Sequence, residues 1–330
     1  MHEPVTGQVY AIYYPILAAI GIPVNILAIV ILNRRNCGLS KCITHYLVSM
    51  AAADLMVVIT CVVFNRIIDT YFPGNYMLLT PACRARTVLV YATRDISVWL
   101  TVAFTFDRFI SICCQQLKTT YCTKKVAAAI VGTVFTLSCL KNIPWYFVYD
   151  SLYIFNKLPW YCLITPNFYI SPFWLAYSYF DCIATPFLPF FIILLLNALT
   201  VRYILVASRV RRVLRGSAGS DNNPDPEMVN RRKSFILLFS ISGNFLILWL
   251  TYTIHYLYYR ITDTYSYTGY NDPVYILQET AYMLLLLSCC TNTFIYTVTQ
   301  TQFRAELTKM VMYPVNQIVS FLTHLKSWIG

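Results

Sequence analysis

Seven long apolar stretches, separated by short polar segments, run along most of the chain. A helix needs roughly 20 apolar residues to cross a bilayer, so each stretch is long enough to span one. The pattern predicts an all-α membrane protein: a seven-transmembrane helix bundle with a short amphipathic eighth helix. The stretches are Tyr10–Leu32, Ile43–Phe64, Thr87–Ile112, Val126–Val148, Phe173–Val206, Phe235–Tyr259 and Val274–Val298. Four prolines inside them (Pro23, Pro144, Pro186 and Pro189) are expected to mark kinks.

The composition agrees with a membrane protein. The 330 residues are 58% hydrophobic and 12% charged, whereas an ordinary globular chain carries about 25% charged residues. A net charge of +11 on a soluble surface would suggest a nucleic-acid partner. The basic residues lie instead at the ends of the apolar stretches, which favours a lipid bilayer and no nucleic acid. The amino-terminal segment lacks the basic region of a cleavable signal peptide, so the first helix is expected to direct insertion.

The distribution of lysine and arginine between alternate loops predicts the orientation. Basic residues in short loops stay on the cytoplasmic side. With the amino terminus outside and the carboxyl terminus in the cytoplasm, the inner loops hold most of them, and the outer loops hold only Arg66, Arg84, Arg86, Lys157 and Arg260. The inner set is Arg34, Arg35, Lys41, Lys118, Lys124, Lys125, Arg209, Arg211, Arg212, Arg215, Arg231, Arg232, Lys233, Arg304, Lys309 and Lys326.

These elements give a simple domain organisation. Residues 1–9 are a short extracellular segment, residues 10–300 the membrane domain, and residues 301–330 a cytoplasmic amphipathic helix and tail. The third cytoplasmic loop covers about residues 209–233 and contains the polar run Gly216–Glu227. Apolar residues recur at helical spacing from Val315 to Ile329, which favours a helix on the membrane surface; a frayed tail is the alternative.

Five of the predicted helices each contain a characteristic polar or aromatic residue or short motif. They are Asn25 in the first, Asp54 in the second, Asp107-Arg108-Phe109 at the end of the third, Trp249 in the sixth and Asn292-Thr-Phe-Ile-Tyr296 in the seventh. Across about residues 10–310 this set resembles the rhodopsin-like (class A) G-protein-coupled receptors. The stretch Ser97–Phe109 and the segment Ala51–Asp54 look like the G-protein-coupled receptor 139 and 142 group, whose members are orphan or respond to aromatic amino acids.

The resemblance implies a plasma-membrane receptor without enzymatic activity. It would bind an extracellular ligand, an aromatic amino acid or a small peptide, and activate a heterotrimeric G protein. Arg108, held by Asp107 at rest, would be the switch that meets the G protein, together with Asn292 and Tyr296. Without the resemblance, Asp107 and Arg108 would be interpreted as an exposed ion pair at the surface.

Three further groups of residues take roles from the same resemblance. Asp54, Ser97, Ser288 and Asn292 would form an allosteric sodium site; a protonated, hydrogen-bonded Asp54 is the alternative. Pro189, Phe245 and Trp249 would relay ligand contact. Cys83 and Cys162, in the predicted extracellular region, would form a disulfide, with free thiols as the alternative. No other cofactor is implied.

The chain also departs from the family pattern. Thr293 stands where the seventh helix normally has proline, and Thr251 where a proline normally follows the sixth-helix tryptophan. Both helices therefore lose the usual cause of a kink.

Charged side chains inside the apolar stretches suggest a ligand site. Val90 occupies the position of the aspartate that binds amines in this class, which argues against a monoamine. Arg94 could instead bind a carboxylate, Asp181 or Glu279 an ammonium, and Tyr252 a ring. Asp95 and His255 complete the candidate set. Internal salt bridges, such as Arg94 with a nearby carboxylate, are the alternative.

Two other protein classes were considered. A secondary transporter of a small zwitterion would also carry charges at mid-membrane, but it should show repeated halves, which this sequence lacks. An intramembrane metalloenzyme would need histidine or cysteine ligands at regular spacing. The four histidines are far apart in the sequence, so a receptor is the better interpretation.

Overall fold

The computed structural model describes residues 5–34, 37–215, 226–262, 269, 271–313 and 317. In this part of the chain, seven helices are long and apolar enough to cross a membrane. The seven spans are Val9–Asn33, Lys41–Tyr71, Thr80–Cys113, Lys124–Phe147, Pro172–Val210, Arg232–Tyr259 and Pro273–Thr299. The predicted seven-helix bundle is confirmed.

Several spans are built from more than one helical segment. The single helices are Val5–Asn33 in the first span, Thr80–Cys113 in the third, Pro226–Thr262 in the sixth and Pro273–Thr299 in the seventh. The second span joins Lys41–Val57 to a π-helix, Val58–Ile67, and a last turn, Ile68–Tyr71. The fourth continues from Lys124–Asn142 into a 3-10 helix, Ile143–Phe147. Short helices between spans are Tyr76–Leu78, Gln115–Tyr121 and Asn167–Ile170.

The fifth span is interrupted by an irregular segment around its first prolines. It consists of the helix Pro172–Cys182, a π-helical segment Ile183–Phe187 and the helix Leu188–Arg215. Thr185, directly before Pro186, has extended backbone angles (φ −156°, ψ 103°). The first span, in contrast, stays helical through Pro23. The sixth and seventh spans, which lack the usual prolines, are each one continuous helix.

Several span boundaries differ from the hydropathy pattern; the second span, for example, ends at Tyr71 and not at the predicted Phe64. The third helix begins at Thr80, before the predicted Thr87, because Arg84 and Arg86 make its first turns polar. These arginines are paired in the structure, Arg84 with Asp150 (2.8 Å) and Arg86 with Asp69 (2.6 Å). The sixth helix begins at Pro226, well before the apolar stretch does.

Short strands between the fourth and fifth spans cover one end of the bundle. Strand β1 (Tyr149–Asp150) pairs antiparallel with β4 (Leu163–Ile164), and between them β2 (Tyr153–Phe155) and β3 (Leu158–Trp160) form a hairpin. Its turn residues Asn156 and Lys157 have positive φ angles, as two-residue hairpin turns require. The Cys83–Cys162 disulfide joins this loop to the third helix, so the predicted bridge is confirmed. We call this end of the bundle the disulfide end and the opposite one the Arg108 end.

Two apolar clusters fill the bundle, one towards each end. The cluster at the disulfide end includes Tyr14, Val57, Trp249 and Leu285, and the cluster at the Arg108 end is centred on large buried side chains such as Leu47, Met50, Phe104 and Tyr296. Many apolar side chains on the outer faces remain exposed, for example Ile247 and Val298. Outward-facing apolar residues suit a lipid environment.

After the seventh span, residues 301–313 form the short eighth helix, which confirms that prediction. The helix begins earlier than the apolar repeat that suggested it, and the repeat from Val315 to Ile329 lies almost entirely outside the described residues. The same holds for most of the predicted loop Gly216–Glu227, whose last two residues begin the helix Pro226–Thr262.

Candidate functional site

The ion pair of Asp107 and Arg108 is buried near the end of the third helix. Arg108 Nε donates to Asp107 Oδ2 over 3.0 Å, its Nη2 donates to the same oxygen, and Nη1 donates to Ser234 Oγ of the sixth span over 3.4 Å. Both charged side chains are almost completely inaccessible to solvent, which contradicts the alternative of an exposed pair. Arg108 therefore connects the third and sixth spans at this end.

Two cysteines hold Asp107 from the other side. Cys42 donates its thiol to Asp107 Oδ1 over 3.2 Å, and Cys122 donates to the backbone oxygen of Asp107 over 3.7 Å. Burial, with the nearby Asp107 carboxylate, raises the pKa of the Cys122 thiol to about 12. This thiol is therefore neutral at physiological pH and can donate. With Arg108 on Oδ2 and Cys42 on Oδ1, both carboxylate oxygens of Asp107 are engaged.

A polar layer separates the two apolar clusters. Its centre is Asp54, which accepts a hydrogen bond from Ser97 Oγ (2.6 Å) and one from Asn292 Nδ2 (2.8 Å). The Asn25 amide connects the first and seventh spans, donating to the backbone oxygens of Gly21 and Cys289 over 2.9 Å each. Among the described residues, Asp54 has no cationic partner. A buried carboxylate in this situation needs a proton or a cation.

Aromatic side chains of the sixth helix stack on each other and contact the seventh helix. Phe245 and Trp249 stack with ring centroids 5.0 Å apart, because residues four apart share a helix face. Trp249 donates its indole N–H to Ser288 Oγ over 3.2 Å, which connects the sixth and seventh spans at the predicted Ser288. Pro189 is buried at the beginning of the last helix of the fifth span. Tyr296 is fully buried, and its ring contacts Phe303 edge-on at 5.8 Å.

A cavity of about 280 Å³ opens at the disulfide end between the second, third and seventh spans. Three charged side chains line it: Arg66, Arg94 and Glu279. Arg66 Nη1 donates to Glu279 Oε1 over 3.1 Å, and Tyr14 donates its hydroxyl to Glu279 Oε2 over 3.1 Å. The pair of Arg66 and Glu279 is neutral overall, so the charge that remains on the cavity wall is that of Arg94.

Arg94 is a buried cation without a carboxylate partner among the described residues. It is 5% exposed, and its Nη1 donates to Tyr252 Oη over 3.1 Å. The guanidinium also lies over the rings of Tyr91 (4.7 Å) and Tyr252 (5.6 Å). Its Nε has no hydrogen-bond partner, and it forms no ion pair, in the part of the chain that the structure describes. The alternative interpretation, an internal salt bridge of Arg94, therefore finds no support there.

The internal salt bridge forms at Lys141 instead. The Lys141 ammonium lies 2.6 Å from Asp95 Oδ2 and 2.6 Å from Asp181 Oδ1. Asn142 Nδ2 adds a hydrogen bond to Asp95 Oδ2 over 2.7 Å. These contacts connect the third, fourth and fifth spans. Asp95 and Asp181 are not part of the cavity wall, so the structure favours Glu279 over Asp181 as a group for a ligand ammonium.

Comparison with known proteins assigns the architecture. The model of the 7 transmembrane receptor (rhodopsin family) matches residues 24–296. The chain belongs to the rhodopsin family of seven-transmembrane receptors. This membership decides against the transporter alternative, because the family is one of G-protein-coupled receptors and not of enzymes or transporters.

Individual relatives are distant but numerous. The receptor is 23% identical over 312 residues to the mouse protein named probable G-protein coupled receptor 142, covering 93% of this chain and 74% of that one. It is 25% identical over 319 residues to the tachykinin-like peptides receptor 86C of Drosophila melanogaster (92% and 58%). A segment of 135 residues is 30% identical to the human thyrotropin-releasing hormone receptor (41% and 33%). The resemblance to the receptor 142 group is thereby confirmed.

The sequence interpretation missed several contacts of the receptor and misplaced others. Arg66 was assigned only to an outer loop, although Glu279 in the seventh span was a signal that a buried cation must be near. Cys42 and Ser234 gave no signal, since their role depends on contacts between helices. His255 is buried but is not part of the cavity wall, and neither ring nitrogen has a partner among the described residues.

Proposed function

We propose that the receptor binds a ligand with a carboxylate, an aromatic amino acid or a short peptide, in the cavity at the disulfide end. Ligand binding shifts the bundle towards a state that activates a heterotrimeric G protein at the Arg108 end. The observation that carries the proposal is Arg94, a buried cation on the cavity wall without a carboxylate partner among the described residues. A buried charge is costly unless an opposite charge compensates it, and a ligand carboxylate would do so.

The proposed orientation places the disulfide end outside the cell. Lysine and arginine are concentrated in the loops at the Arg108 end, which by the positive-inside rule is cytoplasmic. A disulfide also belongs on the oxidising, extracellular side. The amino terminus is then extracellular and the carboxyl terminus cytoplasmic.

The rest of the cavity wall fits the other groups of such a ligand. Glu279 is available for an ammonium if the ligand displaces Arg66, and Tyr91, Tyr149 and Tyr282 offer ring faces. Burial raises the pKa of the Tyr149 phenol to about 12, so this hydroxyl remains a neutral donor.

The cavity volume of about 280 Å³ is near the lower limit for small-molecule pockets, about 300 Å³. An amino acid or the end of a peptide suits it better than a large ligand. The relatives named as thyrotropin-releasing hormone and tachykinin-like peptide receptors also favour a peptide-like ligand.

A continuous series of contacts leads from this cavity into the bundle. Arg94 donates to Tyr252, which contacts Trp249 edge-on at 5.7 Å. Trp249 in turn stacks on Phe245 and donates to Ser288 of the seventh span. A ligand carboxylate that pulls Arg94 away from Tyr252 would free the sixth helix to move, and the Arg108 contact with Ser234 would open. Such coupling requires that the ligand bind the two states differently.

A screen of amino acids and short peptides on cells expressing the full chain tests this proposal. Signalling is recorded through several G-protein classes, and cellular uptake of each compound is measured in parallel. We expect an aromatic amino acid or a peptide with a free carboxylate to stimulate G-protein nucleotide exchange without being taken up. Stimulation only by cations or neutral amines would contradict the proposal.

We further propose that a sodium ion regulates the receptor at Asp54. The donor set fits a hard monovalent cation, because the Asp54 carboxylate lacks a cationic partner among the described residues and the Ser97 hydroxyl lies 2.6 Å from it. Asp54, Ser97 and Ser288 would hold the ion and thereby connect the second, third and seventh spans. Asn292 would orient the carboxylate through its amide. The bound ion supplies a positive charge that favours this arrangement of the spans.

Replacing Asp54 with asparagine is expected to abolish the effect of sodium on agonist potency. In the wild type, agonist potency should be at least about fivefold lower in sodium than in an organic-cation buffer, as for a coupling free energy of about 1 kcal/mol or more. Asn keeps the shape and one acceptor oxygen, turns the other acceptor into a donor, and removes the charge. The matched control is Asp69→Asn, which changes a carboxylate paired with Arg86 away from the polar layer. Equal sodium responses in the wild type and Asp54→Asn would favour a protonated Asp54.

A further inference from the structure

We propose that the cavity at the Arg108 end binds a phosphate-bearing ligand, an inositol polyphosphate or the headgroup of a phosphoinositide. The inference uses the proposed orientation but not the proposed extracellular ligand. The cavity measures about 580 Å³, within the 300–1,000 Å³ typical of ligand pockets. It lies between the second, third and sixth spans and the start of the eighth helix.

The wall of this cavity is positively charged. Arg108, Lys118 and Lys233 line it, and its described wall contains no aspartate or glutamate. Asp107 neutralises Arg108, but neither lysine forms an ion pair with a described residue. Both lysines are exposed, so they can contact a ligand without rearrangement. Two free ammonium groups on one cavity favour a ligand with more than one negative charge.

Neutral donors around the cavity suit phosphate oxygens in particular. Hydroxyl groups on the wall come from Ser40, Ser111, Thr119, Ser234 and Thr301. Two helices also begin there: the second span at Lys41, with Ser40 as its N-cap, and the eighth helix at residue 301. The first N–H groups of a helix lack partners within it and attract anions. The lysines, hydroxyls and helix N-termini together offer the donor set of a phosphate site.

Binding in this cavity would hold the cytoplasmic ends of several spans together. Lys118 follows the third span, Lys233 is in the sixth, and residue 301 begins the eighth helix. A ligand that bridges them would stabilise the arrangement in which Arg108 contacts Ser234. An inositol polyphosphate and a phosphoinositide headgroup share the same phosphate chemistry and differ in whether a lipid tail is attached.

The test is thermal unfolding of the purified full-length receptor with two probes. Inositol hexakisphosphate is added to the receptor in detergent, and in the second arm phosphatidylinositol 4,5-bisphosphate is included in phosphatidylcholine nanodiscs. A ligand that binds only the folded state raises the unfolding temperature. We expect a saturable rise with at least one probe and none with unphosphorylated inositol. A response to the lipid alone would identify the headgroup as the source.

Single lysine variants locate the binding. Lys118→Gln and Lys233→Gln are each expected to weaken the effective probe by at least about tenfold, as the loss of one charge-assisted contact implies. The matched control, Lys125→Gln, removes an exposed lysine at the start of the fourth span that does not line the cavity, and its affinity should equal that of the wild type. No rise with either probe, or equal weakening in all three variants, would overturn the proposal. The proposal would also be overturned if a peptide with a free carboxyl terminus raised the unfolding temperature and neither phosphate probe did.

Discussion

Replacing Arg108 with alanine is expected to abolish most ligand-stimulated nucleotide exchange on the G protein while the receptor still reaches the cell surface. In the structure, Arg108 is held by Asp107 and Ser234. When the third and sixth spans separate, its guanidinium can exchange these partners for backbone carbonyls of an inserted helix without changing its protonation. A hydrogen bond to a charged group contributes about 1.5–3 kcal/mol, so losing this contact should weaken coupling roughly 10- to 150-fold.

The control variants separate a switch from a structural ion pair. Asp107→Asn breaks the same pair but leaves Arg108 free, so we expect it to raise basal nucleotide exchange. If the pair only stabilised the fold, both variants would reduce the surface level and neither would raise basal exchange. Arg202→Ala, which removes an exposed arginine of the fifth span, should behave as the wild type. Undiminished coupling in Arg108→Ala would show that the assignment is wrong.

Much of this switch could be predicted from the sequence, because it depends on characteristic residues that each lie within a single helix. Hydropathy defined the seven spans, and the order from Asn25 to Tyr296 indicated the family. The stacking of Phe245 on Trp249 follows from their spacing of four residues. The disulfide was predictable because Cys83 and Cys162 occupy the family positions in the oxidising region.

Contacts between helices were less accessible to sequence analysis. Buried charges were expected to pair, but which charges meet depends on how the helices rotate and on where their irregular segments lie. Lys141 reaches Asp95 and Asp181 next to the non-helical Thr185 of the fifth span. Arg66 reaches Glu279 from the π-helical part of the second span. Pro186 predicted a kink in the fifth span, but nothing in the sequence indicates the π-helical segment of the second span or which charges the two irregular segments bring together. Arg94 could therefore not be recognised in advance as a cation without a carboxylate partner among the described residues.

Arg94 is the most informative residue at the disulfide end, because no carboxylate in the described part of the chain pairs with it. Replacing Arg94 with glutamine is expected to reduce the potency of a carboxylate ligand by at least about 30-fold, since truncating a buried, hydrogen-bonded charge pair costs roughly 2–5 kcal/mol. Glutamine is too short to keep the Tyr252 contact, but it leaves an uncharged polar group in place of the buried cation, so the bundle should remain folded. Agonist concentration–response curves measured at equal surface expression check the prediction.

The decisive comparison is between an acid and its own neutral amide. In the wild type the acid should be far more potent than the amide, because only the carboxylate compensates the charge of Arg94. In Arg94→Gln this preference should disappear, with the amide response little changed. The control Arg84→Gln removes an arginine of the same helix that pairs with Asp150 and does not line the cavity, and it should keep the preference. If Arg94→Gln weakened the acid and the amide equally, Arg94 would be a structural residue that supports Tyr252 and Tyr91, and the ligand carboxylate would have to bind elsewhere.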